Sequence, residues 1–381
     1  MVKRKFWIQR VEEAWKKRSI IWLYGVRRVG KTSLCQSIDD IVYYDCERSL
    51  VRDQLENNYE HFLQIHKGKR VALDEIHKLE NPSELLKVAA DHYPETKIIA
   101  TGSSVLEATK KFSDTLTGRK VEIHLTPLLL DEGALFGNPD IQHRMLYGGL
   151  PPFFLADELL EFEYREWFHS YWSKDVQELF RLEKKSPFIK FTRLMLAQSG
   201  SMFVASKFAG PCGVSHPTIA NYLEVAKDSF VATVVAPFST FTPTEIRATP
   251  KVYGFDTGFV SYAKRWTTLR NDDCVILWEH IVLNELLAYN HPDAIHYWRD
   301  KQGRKVDFVL LQNRNKEPIC IECKWNSKYF DISNIQVFRD RYPEGKNYVV
   351  SPNIMESYEK KHGNIIISYV SLKGLIKDLL G

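Results

Sequence analysis

An α/β fold built on a parallel sheet is predicted by two patterns in the N-terminal third of the chain. Short apolar runs, Ile20 to Tyr24, Ile41 to Asp45, Arg70 to Leu73 and Lys97 to Thr101, alternate with stretches of helical periodicity. The first run leads straight into Gly25-Val26-Arg27-Arg28-Val29-Gly30-Lys31-Thr32, the pattern G-x-x-x-x-G-K-[ST], and a helix pattern follows it. Strand, glycine-rich loop and helix in that order form a P-loop.

Each residue of the loop has a chemical task. Glycines let successive backbone N–H groups wrap phosphates, and the following helix adds its positive end. Gly25, Arg28, Val29, Gly30, Lys31, Thr32 and Ser33 are the expected nucleotide contacts. Lys31 meets the β- and γ-phosphates, and Thr32 ligates Mg²⁺. ATP or GTP with Mg²⁺ is the expected ligand.

Val71-Ala72-Leu73-Asp74-Glu75 ends a buried strand with two carboxylates. Asp74 is the expected metal-shell residue and Glu75 the base that activates water, an arrangement that points to hydrolysis. Lys97 to Ser104 is a further strand ending in hydroxyls, of which Ser103 is the candidate γ-phosphate sensor. Arg119 in Leu116-Thr117-Gly118-Arg119 is a candidate arginine finger or sensor, the alternative being a surface arginine in a loop.

With 381 residues the chain exceeds what one apolar core usually serves, so several domains are expected. The pattern divides into a P-loop domain (1–135), a helical lid or connector (136–199), a winged-helix-like segment (200–250) and a C-terminal α/β domain (251–381). The lid is broken at Gly148-Gly149-Leu150-Pro151-Pro152. In the winged-helix-like segment a short helix, the breaker Gly210-Pro211-Cys212-Gly213 and a helix capped by Ser215 precede a wing strand at Val231 to Phe238. Its second helix presents His216, Thr218, Asn221 and Lys227 and no arginine, a thin face for DNA that suits packing or protein contact better.

Fifty-two Lys and Arg against 48 Asp and Glu leave a net charge of +4, too weak to name a nucleic-acid partner by itself. The basic start leads into an amphipathic helix through Phe6, Val11 and Trp15, not into a signal core. No apolar run approaches the roughly 20 residues of a membrane span. Six scattered cysteines fit reduced thiols, so the expected location is cytoplasmic. Cys320 and Cys323 lie three apart on a strand, which sends the two sulfurs to opposite faces and argues against a redox or zinc pair.

The motifs GVRRVGKT, LDEIHK, TGSS, LTGRKVEIHLTPL, GGLPPF and KVYGFDTG lie between Gly25 and Gly258, in about the first two-thirds of the chain. In this order they resemble prokaryotic AAA-type ATPases whose C-terminal region was long catalogued as a domain of unknown function. Val26 stands where that family typically has proline, a change that leaves phosphate binding intact.

The last domain carries Glu279 on a helix, Asp307 opening the strand Val306 to Leu311, and Glu322-Cys323-Lys324 on the next strand, beyond Asn313-Arg314-Asn315. Glu322 and Lys324 share a face, and a hairpin brings Asp307 beside them. This set resembles the PD-(D/E)xK, restriction-endonuclease-like core. The resemblance implies Mg²⁺ held by Glu279, Asp307 and Glu322, with Lys324 acting on water and on the phosphorane charge. Glu285 competes with Glu279 for the helix position, and Gln336 resembles a supporting residue. Two expectations follow. One is an ATP-driven enzyme acting on DNA or RNA; the other is an ATP-dependent switch or scaffold whose nuclease-like domain only binds DNA, a protein partner or further copies of itself.

Overall fold

The computed structural model describes residues 2–102, 116–158, 161–180, 182, 184–240, 249–312 and 317–380. The apolar runs of the first third form β1 (Ile20–Tyr24), β2 (Ile41–Asp45), β3 (Arg70–Asp74), β4 (Lys97–Gly102) and β5 (Lys120–His124). They pair in the order β2-β3-β4-β1-β5, all parallel. The inner strands are apolar along almost their whole length because helices cover both faces. β5 alternates Lys120, Glu122 and His124 with Val121 and Ile123, as an edge strand does, and the apolar-run criterion passes over it.

The amphipathic N-terminal pattern is the helix Lys5–Lys17, which buries Trp7, Val11, Ala14 and Trp15. Beyond the sheet the helix Glu161–Ser170 runs on into a π-helical turn, Tyr171–Val176. Among the described residues no helix is long and apolar enough to cross a membrane.

A second sheet is built from β6 (Ser201–Met202), β7 (Ala232–Pro237), β8 (Lys251–Gly254), β9 (Ile295–Arg299), β10 (Lys305–Leu310), β11 (Ile319–Cys323), β12 (Asn347–Val350), β13 (Tyr358–His362) and β14 (Ile365–Val370). Its order is β13-β14-β12-β11-β10-β9-β7-β8-β6. β7 pairs with β8 on one side and with β9 on the other. The boundary read at residue 250 therefore falls inside one hydrogen-bonded sheet. One apolar cluster also runs from Trp7 through Trp167 and Phe259 to Leu375, so the segments share a core.

The two helices before β7 are Ala205–Cys212 and His216–Asp228. The first continues through Gly210 and Pro211 and stops at Gly213, so the break is shorter than the sequence suggests. Ser215 caps the second, its Oγ accepting the Thr218 N–H at 3.3 Å. His216, Asn221 and Lys227 are exposed, and Lys227 pairs with Glu224 at 3.2 Å.

The GGLPPF and KVYGFDTG motifs meet each other. Asp256 accepts the Gly149 N–H at 2.6 Å and that of Gly258 at 2.9 Å, while Arg144 donates to Thr257 Oγ1 at 2.9 Å, all in the interior. Gly148 has φ +86°, and a Cβ there would lie 2.0 Å from Asp256 Oδ1. Gly148→Ala is expected to destabilise the fold by about 3 kcal/mol or more, from left-handed strain plus the clash. Unchanged thermal unfolding of that variant would contradict the clasp.

Candidate functional site

The phosphate loop joins β1 to the helix Lys31–Gln36. Gly25 is required by a close approach, since a Cβ there would come within 2.3 Å of the Leu125 carbonyl oxygen. Lys31 Nζ donates to the Gly25 carbonyl at 2.9 Å and lies 3.5 Å from that of Val26, folded back over its own loop. Beneath the loop a buried pair, Arg4 and Glu132, is joined at 2.6 Å, and Arg4 Nη1 donates to the Val29 carbonyl at 3.2 Å. Val29 is buried, while Thr32 and Ser33 face outward.

Asp74, at the end of β3, is the hub. Its Oδ2 accepts from Thr32 Oγ1 and from the Tyr43 hydroxyl, each at 2.6 Å, and its Oδ1 accepts from Thr101 Oγ1. Burial and the Asp74 carboxylate push the Tyr43 phenol upward, so it stays a donor. Thr101 also accepts the Glu75 N–H at 3.1 Å, tying β4 to the turn that carries Glu75. Glu75 has φ +53°, a left-handed conformation seldom adopted by a side-chain-bearing residue. Its carboxyl is pushed up by burial, against the opposing pull of Lys31, and lies 3.3 Å from His77 Nδ1. Thr32, Tyr43, Asp74 and Glu75 line a cavity of about 310 Å³ whose other walls include Arg27 and Lys174.

Lys174 comes from the π-helical turn, and more of the lid grips the loop. The Arg27 carbonyl accepts the Trp167 indole N–H at 3.3 Å, the Arg27 guanidinium lies 3.8 Å from Asp175, and Arg28 lies 3.4 Å from Glu163. The Arg28 side chain thus turns to the lid, leaving its backbone to the loop. At the end of β1, Tyr24 and His124 stack at 5.1 Å and Phe230, from the turn before β7, stacks on Tyr24 at 4.9 Å. Burial lowers the His124 pKa to about 4, keeping the imidazole neutral.

Arg119 does not reach the phosphate loop of its own chain and stands as the surface arginine of the alternative reading. Its guanidinium is bound to Asp91 at 2.6 and 3.0 Å. Its neighbour Lys120 pairs with Ile20, at the start of β1, whereas the phosphate loop leaves the other end. A five-residue strand, roughly 16 Å, separates Arg119 from its own loop. Ser103, the expected sensor, lies outside the described residues, as do Asn313, Arg314 and Asn315; the hydroxyl that reaches Asp74 is that of Thr101.

In the second sheet the hairpin β10–β11 brings the expected acids and lysine together. Lys324 Nζ is 2.6 Å from Glu322 Oε2 and 3.9 Å from Asp307 Oδ2, and Lys305 Nζ is 3.1 Å from Asp307 Oδ1. Asp307 Oδ2 also accepts the Cys323 backbone N–H at 3.0 Å. Both carboxylates are buried, and Glu322 Oε1 accepts no hydrogen bond from the described residues. Burial and then Asp307 push the Glu322 carboxyl up; for Asp307 the same burial is outweighed by Lys305, Lys324 and Lys251, which hold it down. Cys320 and Cys323 are free thiols packed in different apolar clusters, as their spacing predicts.

Glu279 does not complete a three-carboxylate set. It is held by Lys251 Nζ at 2.8 Å and by the Tyr253 hydroxyl, and among the described residues no three His, Cys, Asp or Glu side chains are grouped to hold one metal ion. The alternative, Glu285, is also excluded: it accepts the Leu130 N–H at 2.6 Å, well away from the hairpin. Gln336 is exposed and donates to Asp340 at 3.0 Å, so it supports neither acid.

Residues 17–133 match the family described as AAA domain. They form an AAA-type P-loop ATPase domain. Residues 138–270 and 276–372 match two domains of unknown function, DUF8612 and DUF4143. Uncharacterized proteins of Mycobacterium tuberculosis and Mycobacterium bovis are each 24% identical over 327 residues, 82% of this chain and 73% of theirs. Among solved structures, a Walker-type ATPase of Pyrococcus abyssi is similar at 18% identity and a TM-score of 0.45, covering 69% of this chain and 96% of its own. The Bacillus subtilis DNA clamp loader delta protein is similar at 16% identity and a TM-score of 0.27, over 58% and 87% of the two chains.

The candidate nucleotide site gains three residues that sequence reading passed over: Tyr43 and Thr101 from the AAA domain and Lys174 from beyond it. A tyrosine inside an apolar strand run signals core packing, and a lysine in an amphipathic helix signals solvent. Glu285 joins the AAA domain's exit, at Leu130, to the C-terminal helix Asn271–Tyr289. Burial raises its pKa to about 7. Because the folded value lies above the unfolded one, near 4.5, its stabilising contribution is full below about 4.5 and is lost as pH rises through about 7, a change of about 3 kcal/mol. Glu285→Gln keeps an acceptor for Leu130 and removes the titration. Its thermal midpoint relative to wild type should rise between pH 5 and pH 8; an equal difference at both would refute this.

Proposed function

We propose that the AAA domain binds ATP with Mg²⁺ and hydrolyses it, and that this cycle serves a nuclease-like C-terminal domain directed at nucleic acid. The observation that carries the first half is Asp74 gathering Thr32, Tyr43 and Thr101 at the edge of one cavity, with Glu75 beside it. Thr32 and Asp74 would hold the ion, which when bound neutralises charge on the β- and γ-phosphates. Lys31 releases its loop carbonyls to meet the same phosphates. Glu75, raised by burial yet close to Lys31, accepts the proton of the attacking water. Lys174 brings a cation from the lid to the cavity wall beside Arg27 of the loop, which makes closure of the lid sensitive to the nucleotide.

The second half rests on the hairpin cluster. Two buried carboxylates with Glu322 Oε1 unsatisfied suit a divalent ion carried by one or two acids and water. Asp307 and Glu322 would hold it, and it would activate water and steady phosphate charge. Lys324 is placed to orient that water and to meet developing charge. A second reading, an ATP-dependent scaffold with an inactive nuclease-like domain, is favoured by Glu279, which is committed to Lys251 and Tyr253. One assay separates them: single- and double-stranded DNA and RNA incubated with Mg²⁺ or Mn²⁺, with and without ATP. Metal-dependent cleavage supports the enzyme; ATP turnover with every substrate intact supports the scaffold.

A further inference from the structure

The molecule has a larger cavity than the nucleotide site, about 980 Å³, away from both sites described above. Its wall is one stripe of the helix Lys185–Ala197, where Ser186, Ile189, Lys190, Arg193 and Ala197 recur at helical spacing. The facing wall is the end of the helix Thr257–Lys264 and the turn after it, contributing Tyr262, Arg265 and Trp266. Tyr164 and Glu161 come from the helix Glu161–Ser170.

The charge on this cleft is one-sided. Lys185, Lys190, Arg193 and Arg265 line it, against the single acid Glu161, which is already joined to Arg165 at 2.7 Å. Lys190, Arg193 and Arg265 are exposed, and among the described residues no acid lies within ion-pair distance of any of them. Arg265 ends its helix at φ +58°, a conformation costing a side-chain-bearing residue about 1 kcal/mol. Unpaired like charges repel, so such a cluster is stabilised by an anion laid across it.

The rest of the wall mixes aliphatic side chains with the rings of Tyr164, Tyr262 and Trp266. Tyr262 stacks on Tyr164 at 4.4 Å with the rings nearly parallel, the Lys264 ammonium sits over Trp266 at 5.0 Å, and Arg193 covers Phe168 at 5.2 Å. Cations in line beside the half-buried rings of Tyr262 and Trp266 are what a strand with phosphates on one side and unstacked bases on the other requires. From Lys185 to Arg193 the helix rises roughly 12 Å, the reach of several phosphates and too long for one small anion.

We propose that this cleft binds single-stranded nucleic acid, with Lys190, Arg193 and Arg265 on the phosphates and Trp266 against a base. The proposal deepens the nucleic-acid-directed reading above and rests on it for the class of ligand. It moves the contact away from the second helix of the helix-turn-helix, whose face is poor in cations.

The test uses the full chain, a fluorescent 20-nucleotide oligothymidine and anisotropy at several salt concentrations, with ATP turnover measured in the same samples. Lys190→Glu combined with Arg193→Glu should weaken binding by at least about tenfold and flatten the salt dependence by about 1.4 in log–log slope, for two lost phosphate contacts. Trp266→Ala should weaken binding without changing that slope. ATP turnover should stay at the wild-type level, which also shows that the variants fold. Wild-type affinity and slope in the double variant would overturn the cleft while leaving any cleavage, and so the nuclease reading, standing. Competition by poly-glutamate as strong as by unlabelled oligothymidine would overturn it in favour of an acidic polypeptide, and a wild type that binds no oligothymidine would overturn it outright.

Discussion

Lys31→Ala should lower ATP affinity by at least about 100-fold, to the point where calorimetry detects no binding. The ammonium is the side-chain cation that the loop itself aims at the β- and γ-phosphates, and charge-assisted bonds of this kind are each worth about 1.5–3 kcal/mol. In the structure Lys31 spans the Gly25 and Val26 carbonyls, so its loss also leaves the loop without its internal tie. ATP affinity equal to wild type would remove the loop from the mechanism. Glu75→Gln is the companion measurement. The amide keeps the shape but accepts no proton, so binding should persist while turnover falls by about 10²- to 10⁴-fold. If binding fell in step with turnover, Glu75 would be a structural residue of the strained turn instead of the base.

If the proposed nuclease activity is present, Asp307→Ala and Lys324→Ala should each abolish metal-dependent cleavage while ATP hydrolysis remains measurable. Asp307 accepts from the Cys323 backbone and faces both Lys305 and Lys324, so removing it dissolves the cluster at its centre. Lys324 is the cation nearest to Glu322, and its removal leaves that buried carboxyl without its partner. Cys323→Ala is the control: its side chain packs in the core on the other side of the strand, and only its backbone touches Asp307. Cleavage that survives either of these two substitutions would take the hairpin out of the reaction. Loss of cleavage in the cysteine variant would trace the effect to packing.

Much of the AAA domain was legible because its signals are local. A fully apolar run of five residues and a glycine-spaced loop do not depend on distant partners, and β1 to β4 appear within a residue of where the pattern places them. Thr32, Asp74 and Glu75 were readable for the same reason. The failures share a cause, since each depends on what lies across the fold. Arg119 sits in a suggestive loop, but only the parallel register of β5 shows that it is at the wrong end of the sheet. Glu279 has the right helix position, yet Lys251 and Tyr253, remote in sequence, decide its partner. The cluster of Asp307, Glu322 and Lys324 came through because consecutive antiparallel strands with alternating faces bring these positions side by side.

The place of β7 between β8 and β9 governs how the molecule can be divided. A fragment starting near residue 251 would lose β7 and so bare the flank of β9 as an open row of amide and carbonyl groups, ready to recruit another chain. A fragment ending near residue 250 would strand β7 in the same way. Separated halves are therefore expected to clump, and a cut placed before Ser201 keeps every strand of the larger sheet beside its neighbour.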